Sequence, residues 1–136
     1  MSAKRILVLL DPNARPAPDL AATFHREGAE VFIVTAVLPS RLSWLTNDDA
    51  AATGAAERRL DGALDTVRDA GVPAGGAVGA DDDLLTVIDD ALAEFAADEI
   101  VIVGPAPGAD RHWRIEGLAA RVAERHAIDV RVLAVA

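Results

Sequence analysis

Four groups of residues in this 136-residue chain are of types that do chemistry. Asp11 follows an apolar run and reads either as a ligand-facing carboxylate or as the start of a turn with Pro12 and Asn13. Asp81, Asp82 and Asp83 form a row of acids that can take a cation. Placed just ahead of an apolar-periodic segment, they read better as an N-cap and a negative first helical turn. His25, His112 and His126 lie in separate segments without ligand spacing, so no metal site is expected. Arg111 and Arg114 open the only net-basic segment, and guanidinium groups hold small oxyanions through paired hydrogen bonds.

Other chemistries are excluded by what is missing. There is no cysteine, hence no disulfide, thiolate-held metal or thiol nucleophile. Neither Gly-x-Ser-x-Gly nor Gly-x4-Gly-Lys occurs, so no enzymatic turnover is expected. Lys4 is the sole lysine, which rules out a phospho-receiver reading that needs a lysine after the fifth strand. The net charge of −9 argues against nucleic acid and anionic membranes as partners, because phosphate backbones are held by Lys and Arg. That charge is uneven. Residues 1–110 carry 8 basic and 19 acidic groups, whereas residues 111–136 carry 5 and 3. A small anion near Arg111 and Arg114 is therefore compatible with the overall acidity. Hydrophobic residues make up 51%, too many for a disordered acidic chain. No apolar run approaches the roughly 20 residues of a membrane span. Met1 to Leu10 runs straight into a strand-like segment with no cleavage site, so a cytoplasmic protein is expected.

The elements that must position these residues alternate. Ile6–Leu10 is a continuous apolar run, as suits a strand covered on both faces. Pro16 and Pro18 fit a first helical turn, Leu20 and Phe24 share a helix face, and Gly28 ends that helix. A second strand runs from Val31 to about Val37, then a loop with Pro39 and Trp44, then a helix from about Asp48 to Ala70. Ala74–Ala80 is glycine-rich and a poor strand by itself, but its place between two helices predicts one. Leu84, Val87, Ile88, Ala91, Leu92 and Phe95 mark a third helix. Glu99–Gly104 is a strand, Pro105–Asp110 a loop, Trp113–His126 a helix and Val130–Val135 the last strand. This order predicts one α/β domain over residues 1–136, a parallel sheet with helices on both faces. Ligands in such folds sit beyond the carboxyl ends of the strands.

Over nearly its whole length the chain resembles the universal stress protein family. The resemblance is carried by Ile6–Asp11 and by Ala77-Val78-Gly79-Ala80-Asp81. It continues through Ala97-Asp98-Glu99-Ile100-Val101-Ile102-Val103-Gly104 and Arg125-His126-Ala127, in that order and spacing. It implies a five-stranded sheet of order 3-2-1-4-5 and a homodimer paired through the last strand, Val130–Val135. The nucleotide-binding branch of that family carries Gly-x2-Gly-x9-Gly-[Ser/Thr] after the fourth strand. Gly104 and Gly117 keep the outer spacing, Gly108 is displaced by one, and Leu118 stands where the hydroxyl belongs. Carried over position by position, Asp11 would lie by the nucleotide and Ala36 by the base, with Gly104, Gly108 and Gly117 lining the phosphates.

The physics of this loop argues for a lost ligand. Phosphate loops work through backbone N–H groups at a helix start, and Pro105 and Pro107 have none. Losing a hydroxyl bond to a charged phosphate costs about 1.5–3 kcal/mol, roughly 10- to 150-fold in affinity. The expectation is a non-catalytic stress or signalling module with no resident cofactor, acting through a protein partner. The alternative is an adenine-nucleotide binder, for ATP or AMP, in which Arg111 and Arg114 replace the hydroxyl. Weak nucleotide hydrolysis is a third reading. Gly117, inside a predicted helix, allows close approach of a phosphate or of another backbone.

Overall fold

The computed structural model describes residues 4–10, 18–36, 49–79, 84–105 and 112–135. These form β1 (Lys4–Leu10), α1 (Pro18–Glu27), β2 (Ala29–Ala36), α2 (Asp49–Asp69), β3 (Ala74–Gly79), α3 (Leu84–Glu94), β4 (Glu99–Pro105), α4 (His112–His126) and β5 (Asp129–Val135). All five predicted strands and four predicted helices are present, with ends moved by one or two residues. β2 starts at Ala29 because Ala29 and Glu30 pair with Lys4 and Arg5 of β1. Pro105, expected in a loop, closes β4 opposite Val135. The predicted loops at Leu38–Asn47 and after Pro105, with Trp44 and Pro107, lie outside the described residues, as do Asp81, Asp82 and Asp83.

The sheet is parallel throughout, in the order β3-β2-β1-β4-β5. Its central strands β1 and β4 carry the continuous apolar runs Ile6–Leu10 and Ile100–Val103 because both faces are covered there. Ile6, Val8 and Leu10 meet Phe24 of α1 and Leu60, Leu64 and Val67 of α2 on one face. Leu7, Leu9 and Ile102 meet Val87 and Ile88 of α3 and Leu118 and Val122 of α4 on the other. Gly28 and Gly71 end α1 and α2 at φ 65° and 86°, backbone conformations that favour glycine. The glycine-poor look of an ordinary strand is absent from β3 for a packing reason. A Cβ at Gly76 would stand 2.7 Å from Leu60 Cδ1, and one at Gly79 would stand 2.7 Å from Val87 Cγ1.

Several family-like pieces have structural work at the amino end of the sheet or between helices. Asp98 accepts the Arg5 N–H at 3.0 Å and returns its own N–H to the Arg5 carbonyl at 2.8 Å, fixing the start of β4 beside β1. The buried Glu99 carboxylate takes Lys4 Nζ at 3.3 Å and Arg131 Nε at 2.6 Å, joining β1, β4 and β5. Arg125 and His126 both reach Asp89 of α3, at 2.9 and 2.7 Å, and lock the end of α4 to the middle of α3. Ala127 then turns at φ 49°, a left-handed conformation that costs a non-glycine residue roughly 1 kcal/mol.

Candidate functional site

In this topology the chain leaves β1 towards one face of the sheet and reaches β4 from the other. The crevice beyond the carboxyl end of β1 is therefore the place where an open α/β sheet takes ligands. The register defines its floor. Leu10, the last residue of β1, pairs with Thr35 on one side and Val103 on the other. One step further, Ala36 lies opposite Gly79, and Gly104 lies opposite Ala134. The row that ends the sheet is thus built of glycine and alanine on both sides of the position after Leu10. It is a shelf of small residues, covered at Gly79 by Val87 of α3, whose Cγ1 a Cβ there would meet at 2.7 Å.

The sequence-predicted residues distribute as follows. The structure brings Ala36 and Gly104 to that row. Asp11, Gly108 and Arg111 lie outside the described residues. Arg114 belongs to the first turn of α4, and its side chain is likewise outside them. Gly117 lies in the second turn of α4 and is exposed, and a Cβ built there meets nothing within 4 Å. Among the described residues outside its own helix no backbone lies within 4 Å of that Cβ. Leu118 is 7% exposed and belongs to the cluster of Leu7, Leu9, Ile102 and Val122. Where the resemblance places a phosphate-binding hydroxyl, this chain has a core side chain. His25 lies against Gly71 on the α1–α2 side, while His126 is spent on Asp89 on the other.

One residue was missed by sequence reasoning. Thr35, beside Leu10 in the register, is fully buried and its hydroxyl has no hydrogen-bond partner among the described residues. An unsatisfied buried hydroxyl costs about 1–3 kcal/mol, so a threonine closing the run Val31-Phe32-Ile33-Val34 was the available signal.

No protein-family model matches the chain, and no curated protein matches it in sequence. Solved structures do. A universal stress protein from Archaeoglobus fulgidus in complex with dAMP superposes with a TM-score of 0.64 at 18% identity, over 97% of this chain and 98% of that one. A protein of the universal stress protein family from Burkholderia pseudomallei gives 0.64 at 23% identity, over 97% and 96%. The fold is that of the universal stress proteins. A further universal stress protein, in complex with cAMP, matches with a TM-score of 0.58 at 22% identity over 99% of this chain and 100% of that one. The resemblance read from the residues thus holds at the level of the universal-stress-protein fold, including the 3-2-1-4-5 order. Among the described residues no helix is long and apolar enough to cross a membrane.

Proposed function

We propose that this chain is a universal-stress-protein-like module that acts in stress response or signalling through protein contacts, without turnover, and that holds ATP weakly if at all. The observation that carries this reading is the burial of Leu118. A residue packed between α4 and the sheet supplies no bond to a phosphate, and its leucine side chain has none to offer. Pro105 removes a further backbone donor at the mouth of the site.

A second reading is favoured by the nucleotide complexes of the similar structures. The two complexes named above hold dAMP and cAMP, nucleotides with a single phosphate. An adenine mononucleotide asks less of a damaged phosphate loop than ATP does, and Arg111 and Arg114 are the cations to meet its one phosphate. Thermal unfolding with ATP, ADP, AMP and cAMP separates the readings. A ligand with Kd above about 1 mM adds less than about 0.4 kcal/mol at 1 mM. The first reading expects ATP to stay within that limit and no nucleotide to copurify. Copurified ATP, or a Kd for it in the low micromolar range, overturns it. The second expects AMP or cAMP to stabilise more than ATP, with the effect abolished in Arg111→Ala/Arg114→Ala. Phosphate release over hours would instead establish hydrolysis.

A homodimer paired through β5 belongs to the same proposal. β5 is an edge strand whose Val130 and Val132 are only partly buried against the core, and an apolar edge of this kind is a hazard unless paired or covered. Sedimentation is expected to give a dimer for the wild type and a monomer for a folded Val132→Pro variant. An unchanged mass removes the dimer.

A further inference from the structure

The acids of residues 81–99 are not all used by the fold. Asp89 holds Arg125 and His126, Asp98 holds the start of β1, and Glu99 holds Lys4 and Arg131. Asp90 and Glu94 are exposed and have no cationic partner among the described residues. They stand one helical turn apart on α3, at the rim of a groove of about 210 Å³ between α3 and the β2–β3 edge of the sheet. The floor of the groove is apolar, formed by Phe32, Val34, Ala77 and Val87, and no basic residue among the described residues lines it.

The groove runs beside an unpaired strand edge, because β3 is the outermost strand. Val31 donates its N–H to the Pro73 carbonyl at 3.0 Å. The alternation of a parallel ladder then turns the backbone of Gly75, Ala77 and Gly79 towards β2 and leaves that of Gly76 and Val78 facing outward. Arg68 confirms the phase: its Nε and Nη2 reach the outward carbonyl of Ala74 at 3.1 and 2.8 Å. That contact occupies the first outward position, and among the described residues the next two have no backbone partner.

We propose that the β3 edge and this groove bind an extended, basic segment of a partner protein. The segment adds as a strand beside β3, through the outward groups of Gly76 and Val78. Its Lys or Arg side chains lay their aliphatic stems on the apolar floor and place their charges at Asp90 and Glu94, as long cationic side chains do where an apolar surface ends in carboxylates. A second copy of the chain suits the edge less well. Antiparallel pairing of two β3 edges would put both acidic rims on the same face of the joined sheet, where like charges repel. The inference does not depend on whether the carboxyl-edge shelf holds a nucleotide.

The test is a fluorescence-anisotropy titration of the full chain with a labelled Lys-Val-Lys-Val-Lys-Val-Lys peptide at low salt, with Glu-Val-Glu-Val-Glu-Val-Glu as its counterpart. The lysine peptide is expected to bind with a Kd on the order of 10–100 µM, and the glutamate peptide not at all. Asp90→Lys/Glu94→Lys is expected to weaken the lysine peptide by about tenfold or more. Asp61→Lys/Asp65→Lys changes net charge equally at two exposed sites on α2 and is expected to leave binding within about twofold. Val78→Pro removes an outward N–H while sparing the ladder to β2, and it is expected to weaken the peptide without changing the protein's mass. Absence of binding at about 1 mM peptide overturns the proposal. So does equal weakening by the α2 pair, which would mark general electrostatic attraction. A wild-type oligomer that Val78→Pro dissolves would assign the edge to a second copy and overturn it as well.

Discussion

Gly76→Ala is expected to destabilise the protein by about 3 kcal/mol or more, while its neighbour Gly75→Ala leaves stability unchanged or slightly raised. The two glycines are adjacent in one strand and differ in what a methyl group would meet. At Gly76 it would stand 2.5 Å from the Ile33 carbonyl oxygen and 2.7 Å from Leu60 Cδ1. Leu60 can shift its side chain, but the Ile33 carbonyl belongs to the backbone of β2 and cannot move without disturbing the ladder. At Gly75 the nearest atom is Phe32 Cδ2 at 3.8 Å, an ordinary van der Waals contact. Alanine there also restricts the unfolded chain, an effect worth roughly 0.4–1 kcal/mol in its favour. Urea denaturation of the two variants checks this. A Gly76→Ala protein as stable as the wild type would mean that β3 can slide away from β2 and α2 at little cost, and that the packing described for this edge is wrong.

The second large effect concerns the phosphate-binding position. Leu118→Ser, the change that would restore the hydroxyl of the nucleotide-binding pattern, is expected to cost about 3–5 kcal/mol and to yield no tight ATP binding. Leu118 packs in the cluster with Leu9, Ile102 and Val122, so serine there leaves a cavity and buries a hydroxyl among apolar groups. Leu118→Met keeps the volume and is expected to cost less than about 1.5 kcal/mol. Denaturation midpoints for both variants, with and without ATP, decide the matter. If Leu118→Ser stays stable and binds ATP tightly, position 118 faces the phosphate loop, and the assignment of this residue to the core fails.

Most of the architecture was legible because its signals are local. The runs Ile6–Leu10 and Ile100–Val103 are apolar at consecutive positions, which only a strand buried on both faces requires. Gly28 and Gly71 sit where their helices end and take the positive φ that such ends favour. β3 was the weakest strand to read, since Gly75, Gly76 and Gly79 lower strand propensity. The reason for two of those glycines lies in Leu60 and Val87, far along the chain on two different helices, and no local pattern reports it.

The site divides in the same way. Glycine spacing pointed to Gly104, and the strand order pointed to the crevice at the end of β1. Spacing alone gave no account of Leu118. A leucine after a helical glycine is equally compatible with lining a loop and with filling a core. The choice depends on the rotation of α4 about its axis, which is set by Val122 and the sheet beneath it. The same holds for the acids. Eight between Asp81 and Glu99 look alike in the sequence. Folding pairs Asp89 with Arg125 and Glu99 with Arg131, and leaves Asp90 and Glu94 without a cationic partner among the described residues beside the β3 edge.

The sequence by itself determined the alternation of strands and helices, the coverage of both sheet faces, and the absence of thiol and P-loop chemistry. Each of these follows from residue type and short-range periodicity. Only the tertiary structure decided that position 118 is core, that glycine and alanine end the strands beside β1, and which acids among the described residues remain unpaired. Those facts depend on register, helix rotation and contacts between residues distant in the chain, where neighbouring residues carry no information.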